Sequence, residues 1–321
     1  MTPPPLDAID LKLLQALELD GRAPFSRIAQ VLGVSDQTIA RRFGRLRVTA
    51  RLRVTGMVDD DRLGLTTWIV RLGCAGDAAR LAETLAGRAD THYVDMVAGG
   101  VEVVCAITPR SKREQDELLL EGLRRTLHVV SVGAHCVLRT HYGNSLRWLR
   151  KISALDPDEE TALRAPASRP QASVSLDATD HAIIDTLRRD GRATLTELQA
   201  VTHLSESVAK RRLERLRSTG VLYLAVEYDH EPLGQGVEAL LWLIVAPHAL
   251  ADTGRALAAH PEVRFVAAVT GRTNLVVSVL CRTTDDLYTF VADRVGASGA
   301  VHSAEIVRTL RRVKSLTREA T

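Results

Sequence analysis

Gln37, Thr38, Arg41, Arg42 and Arg45 fall at helical spacing along one side of a segment whose other side carries Ile39, Phe43 and Leu46. The pattern returns later in the chain as Ser207, Val208, Arg211, Arg212 and Arg215, with Lys210 and Arg217 alongside, opposite Ala209, Leu213 and Leu216. Arginine matches the two acceptors of guanine, and glutamine matches the donor and acceptor of adenine. Flanking arginines such as Arg47, Arg51 and Arg53 suit phosphate oxygens, which fix register without reading sequence. A single basic run reads most simply as a solvated face. Two such runs, each behind a turn and a capping serine (Ser35, Ser205), point instead to double-stranded DNA.

Each basic segment needs a scaffold to present it. Ile9, Leu13 and Leu17 recur every four residues and predict a first helix, ended by the turn residues Asp20-Gly21-Arg22. A short second helix carries Ile28, Ala29 and Leu32 and breaks at Gly33; Ser35 then caps the third. Two short helices joined by a tight turn make a helix-turn-helix. In the later copy Thr202-His203 stands where the turn glycine is expected.

The recurrence extends along most of the chain. Leu6-Asp7-Ala8-Ile9-Asp10 returns as Leu176-Asp177-Ala178-Thr179-Asp180, Asp20-Gly21-Arg22-Ala23 as Asp190-Gly191-Arg192-Ala193, and Leu63-Gly64 as Leu233-Gly234, at a constant offset of 170. The offset becomes 172 at Gly99 and Gly271. A segment rich in Ala, Pro and Ser lies between the copies and reads as a linker. The domains expected are 1–58 and 174–228 for the helix-turn-helix modules, 59–145 and 229–321 for the modules behind them, and 146–173 for the linker.

Behind each helical module the hydrophobic period changes. Thr67–Leu72, His92–Ala98, Val101–Thr108 and Val129–Arg139 are strand-like, and Ala78–Ala86 and Glu114–Arg125 are helical. The second copy repeats this with strands at Ala239–Ala246, Val263–Thr270, Leu275–Cys281 and Val301–Leu310, and helices at Leu250–Ala259 and Asp285–Val295. The order βαββαβ predicts a ferredoxin-like module with two helices on one sheet face, so the fold class is α+β in tandem. The open sheet face must find cover, from the other copy or from a second chain.

The composition excludes several classes. Of 321 residues, 45% are hydrophobic, ample for buried cores, and no apolar run reaches the ~18 residues of a membrane span. The Pro-rich start does not read as a secretory signal. Cys74, Cys105, Cys136 and Cys281 lie singly in apolar runs, as expected of free thiols in a cytoplasmic protein. Charge is uneven: residues 1–58 hold nine basic and five acidic residues, 59–145 ten and twelve, and 174–228 eight of each. The first basic helix therefore carries the stronger attraction for phosphates.

The Leu-Asp-x-x-Asp start, Asp-Gly-Arg-Ala before the second helix, the Ser-capped arginine helix, Leu-Gly after it and the βαββαβ module together resemble the Lrp/AsnC (feast/famine) family of transcription regulators, here twice in tandem. The resemblance implies sequence-specific DNA binding, assembly through the ferredoxin-like module and response to a small molecule such as an amino acid. It places the effector at the loop between the two central strands: Gly99, Gly100 and Glu102 in the first copy, Gly271, Arg272 and Asn274 in the second. The family's aspartate is replaced there by Glu102 and Asn274, and a hairpin turn calls for glycine in any case.

The same two-module arrangement also resembles sirohaem decarboxylases, which occur as fused pairs. That alternative needs histidines and arginines converging on a pocket. His135, Arg139 and His141 are the candidates, and the second copy has no matching triplet. Alternation along one strand places His135 and His141 on the same face but too far apart for a shared metal. No nucleophile elbow, phosphate loop or carboxylate pair is evident, so no cofactor, metal or catalytic residue is expected.

Overall fold

The computed structural model describes residues 6–122, 128–143, 153–165, 174–229, 236–315 and 318–319. Parts of the expected linker (146–152 and 166–173), the end of the helix expected at Glu114–Arg125 and the Leu233-Gly234 pair lie outside them. The chain forms two compact units, each drawing on both copies: residues 1–63 with 144–234, and residues 64–143 with 235–321. Among the described residues no helix is long and apolar enough to cross a membrane.

The first unit is mainly helical. In the first copy α1 (Ala8–Leu19), α2 (Phe25–Leu32) and α3 (Asp36–Thr49) close over Leu13, Leu14, Leu17, Ile28, Ile39 and Leu46, all fully buried. Each such side chain contributes about 1.5–3 kcal/mol on burial. A strand not expected from the sequence, β1 (Arg53–Val58), follows α3.

The linker is also more structured than its composition suggests. It contains α6 (Pro157–Leu163), started by an Asp156–Glu159 capping box with proline in the first turn. Leu155 and Leu163 join the core of the first copy, and Gln15 Oε1 accepts from the backbone N–H groups of Ala154 and Leu155, both at 2.8 Å. The second copy repeats the plan with α7 (Ala178–Arg189), α8 (Leu195–Thr202), α9 (Glu206–Ser218) and β6 (Leu222–Glu227).

The second unit contains the two βαββαβ modules. The first has β2 (Trp68–Cys74), α4 (Ala78–Ala86), β3 (Thr91–Val97), β4 (Glu102–Ile107), α5 (Lys112–Asp116) and β5 (Val129–Tyr142). The second has β7 (Val237–Val245), α10 (Leu250–Ala258), β8 (Val263–Val269), β9 (Leu275–Cys281), α11 (Thr284–Thr289) and β10 (Val301–Ser315). A π-helical turn extends each of the second helices, at Glu117–Gly122 and Phe290–Val295.

Within the modules the strand orders are β5-β2-β4-β3 and β10-β7-β9-β8. The last strand of each runs on past its own sheet. β5 pairs with β2 up to Cys136 and with β8 from Val137 to Tyr142; β10 pairs with β7 up to Arg308 and with β3 from Thr309 to Ser315. The eight strands thus form a closed ring of antiparallel pairs, which removes the open edges. Expected ends at Arg139 and Leu310 fall short because the extra residues take their strand pairing from the other copy.

The uncovered sheet faces meet each other. Ile69, Val97, Val104, Leu240, Trp242, Ala267, Val269, Val276 and Val307 form one buried core between them. The helix-covered faces form two further cores, one for each copy. The pairing left open by the sequence is therefore satisfied within one chain.

Candidate nucleic-acid interface

In the first copy Gly33 ends α2 in the left-handed region, φ 66°, a conformation that suits glycine. Ser35 then caps α3, its hydroxyl accepting from the Thr38 N–H at 3.1 Å. Ile39 and Leu46 anchor the inner face, and Phe43 packs on Phe25 with ring centroids 5.2 Å apart. In the second copy His203 takes the place of Gly33 and adopts the same left-handed conformation, φ 57°. The turn is thus retained without its glycine, at a steric cost.

The basic face divides into two sets. Gln37 and Arg41 on α3, and Ser207 and Arg211 on α9, are exposed on the outer surface as expected. Thr38 and Val208 are half-buried. Arg42, Arg45, Arg212 and Arg215, expected on the groove side, each have carboxylate partners in their own module.

Arg42 Nη1 donates to Asp7 at 2.6 Å and to the fully buried Asp10 at 2.9 Å, and Arg45 also donates to Asp10. Arg212 Nη1 does the same with Asp177 at 2.7 Å and Asp180 at 3.1 Å, and Arg215 with Asp180. The reason is local. Asp7 and Asp10 cap α1, as Asp177 and Asp180 cap α7, and their remaining lone pairs point at the neighbouring basic helix. The hydrogen bond from Arg42 holds the Asp7 carboxyl below the usual carboxylate range, and Arg212 acts likewise on Asp177.

These arginines therefore position the basic helices, although Arg45 and Arg215 keep more than two-fifths of their side chains exposed. The outward stripe is completed by Ala40, Gly44 and Val48 on α3, and by Lys210, Glu214 and Ser218 on α9. The contrast between Gly44 and Glu214 was legible from the repeat offset alone.

The two heads are joined into one body. β1 and β6 pair antiparallel from Arg53 opposite Glu227 to Val58 opposite Leu222. Arg22 Nη1 donates to the Gly191 carbonyl at 2.8 Å, and Arg192 Nη1 to the Gly21 carbonyl at 2.7 Å. Gly191 N donates in turn to the Val54 carbonyl at 2.7 Å, an approach so close that a Cβ there would lie 2.9 Å from the Val54 backbone. Arg192 also stacks over Phe25, 4.4 Å from the ring centroid, and Arg217 pairs with Asp20 at 2.8 Å.

In the strand unit, the residues expected to form effector loops are largely engaged in the fold. Glu102 accepts from Arg71 Nε at 2.9 Å, and Arg71 also binds Glu305 of the second copy. The Asn274 amide bonds both backbone groups of Val245, at 2.8 and 2.7 Å. Gly271 lies against His135, while Gly99, Gly100 and Arg272 border their turns. His135 pairs through Nδ1 with the Thr270 carbonyl at 2.8 Å and packs against Trp242. His141 is buried against Gly254 of α10, on the helix-covered side. Register shifts in β5 between Val137 and Arg139 and between Thr140 and Tyr142 break the simple alternation, so His135 and His141 lie on opposite faces, not on the same face as expected.

Residues 6–47 match the AsnC-type helix-turn-helix domain, 176–223 match a winged helix-turn-helix DNA-binding domain, and 238–319 match the Lrp/AsnC ligand binding domain. The chain is 31% identical over 146 residues to the HTH-type transcriptional regulator FL11 of Pyrococcus horikoshii, covering 45% of this chain and 95% of that protein. It belongs to the Lrp/AsnC family. FL11 of Pyrococcus furiosus is also 31% identical, over 44% of this chain and 94% of its own length.

Across nearly its whole length this Lrp/AsnC protein shares its fold with the siroheme decarboxylase NirDL. The TM-score is 0.63 at 16% identity, covering 97% of this chain and 93% of that one. At that identity the likeness concerns the fold alone.

Proposed function

We propose that this Lrp/AsnC protein regulates transcription by reading one DNA duplex with both heads of a single chain. The observation that carries this is the β1–β6 pairing with its reciprocal Arg22 and Arg192 bonds, which makes one body of two unlike heads. Gln37 and Arg41 in the first head, and Ser207, Lys210 and Arg211 in the second, are the groups available to base edges. Half-exposed Thr38, Val208, Arg45 and Arg215 border them, and Arg42 and Arg212 hold the helices in place. Because Gln37 has no counterpart of equal reach in Ser207, the preferred operator is two dissimilar half-sites about one helical turn, or a multiple, apart. Selection from random duplexes tests this. A strict palindrome would mean that like heads from two chains pair on DNA.

The match to the ligand binding domain supports a small-molecule effector, such as an amino acid, acting through the strand unit. The contacts of Glu102 and Asn274 direct the search toward Gly99, Gly100 and Arg272, whose loops are less constrained by side-chain bonds. A non-enzymatic role follows from the same reading. It is supported by the separation of His135 from His141 on opposite faces of the sheet. Titration with sirohaem, followed by absorbance, separates the two readings: saturable binding with product release of carbon dioxide would establish the decarboxylase instead.

A further inference from the structure

Gly44 and Glu214 occupy the same place in the two basic helices, 170 residues apart in the gap-free part of the repeat. Both are exposed on the outward stripe. A Cβ built at Gly44 meets nothing within 4 Å, so that surface of α3 is open. On α9 the corresponding surface carries a carboxylate, three residues after Arg211 and seven after Ser207. Two helical turns separate Ser207 from Glu214, about 10 Å along the axis, which keeps both on the groove-facing side.

A carboxylate on that side is repelled by phosphates and by most base edges. In the major groove guanine presents two acceptors, thymine an acceptor beside a methyl group, and adenine an acceptor next to its amino donor. Cytosine presents an amino donor alone. We propose that Glu214 is a base-selecting residue of the second head, accepting from the N4 amino group of a cytosine, whereas Gly44 leaves the equivalent position of the first head unread. The proposal rests on the reading of α3 and α9 as groove helices. It goes further by adding to the Gln37–Ser207 contrast a second, separately testable source of difference between the two half-sites.

Site selection from random duplexes with the full chain, Glu214→Gln and Gly44→Glu tests it, with thermal melts to confirm folding. The expected wild-type sites select cytosine at the position facing Glu214 and show no base preference at the position facing Gly44. Glu214→Gln should lose that preference by roughly tenfold and favour adenine, which matches a carboxamide, with the other half-site unchanged. Gly44→Glu should introduce a cytosine into the first half-site. Two results would overturn the proposal while leaving DNA binding intact: a wild-type site without the cytosine, or a Glu214→Gln variant that gains affinity equally for all sequences. The second would show phosphate repulsion alone. A folded wild-type chain that retains no duplex would instead overturn the groove-helix reading itself.

Discussion

Arg42 donates through Nη1 to the fully buried Asp10 at 2.9 Å, and the second copy repeats the pair as Arg212 and Asp180 at 3.1 Å. The basic helix is thus tied to the N-terminal end of the first helix in each head. A residue type suited to DNA is used here to tie the basic helix to its own module.

The roles of neighbouring arginines should therefore separate. Arg42→Ala leaves the Asp10 carboxylate with Arg45 as its one arginine partner beside the Asp7 N–H, and loss of a partner to a buried charge costs up to about 3–5 kcal/mol. Arg41→Ala, on the exposed stripe, should leave the melting temperature within a degree or two and weaken DNA binding about tenfold. Melting curves and gel shifts on both variants check this. Equal melting temperatures would show that the Asp10 pair contributes little.

His203 occupies a left-handed conformation that a side chain adopts at a cost, φ 57°. His203→Gly should therefore stabilise the protein by about 0.5–1 kcal/mol, and Gly33→His should destabilise it by a similar amount. Chemical denaturation measures both. A loss of stability in His203→Gly would point to a contact of the imidazole that outweighs the backbone strain.

Trp242 is 1% exposed in the core between the two sheets, with the Arg71 guanidinium 5.7 Å from its ring centroid. Trp242→Ala should cost about 3–5 kcal/mol. It should also weaken the union of the two sheets, since both contribute to that core. Hydrogen exchange should show faster exchange along β5 beyond Cys136 and β10 beyond Arg308, where pairing crosses from one copy to the other. Unchanged exchange there would mean that backbone pairing, without the core, holds the ring.

Burial pushes the Cys105 thiol up from 9.0 to about 12 and the Cys281 thiol from 9.0 to about 11. Folding thus disfavours both thiolates, so their effect on stability is constant below pH 9 and becomes a loss as pH rises toward 11–12. Stability should decline above pH 9, and a Cys105→Ala variant should lose less of its own stability over that range. Alkylation at pH 8 should be slow in the folded protein and fast in denaturant. Rapid modification of Cys105 in the native state would show that the strand unit opens readily.

Much of this was legible in the residues themselves. Apolar spacing located the helices of both heads and the βαββαβ order, because a buried face imposes its period on the sequence whatever the partner. The Asp156-Pro157-x-Glu159 start of α6 was equally local and could have been read from capping chemistry. Family membership followed from the same short motifs. Other features depend on pairs far apart in the chain. β1 and β6 gain their strand geometry from each other, across about 170 residues, and β5 and β10 run on because the other copy supplies an edge. The assignment of Arg42 and Arg45 was hidden for a related reason. Helical periodicity shows which side of α3 leaves the core, but not that α1 brings Asp7 and Asp10 up to that side. Sequence fixes what each segment must bury; only the tertiary structure decides which exposed charges find a partner within the protein and which remain for DNA.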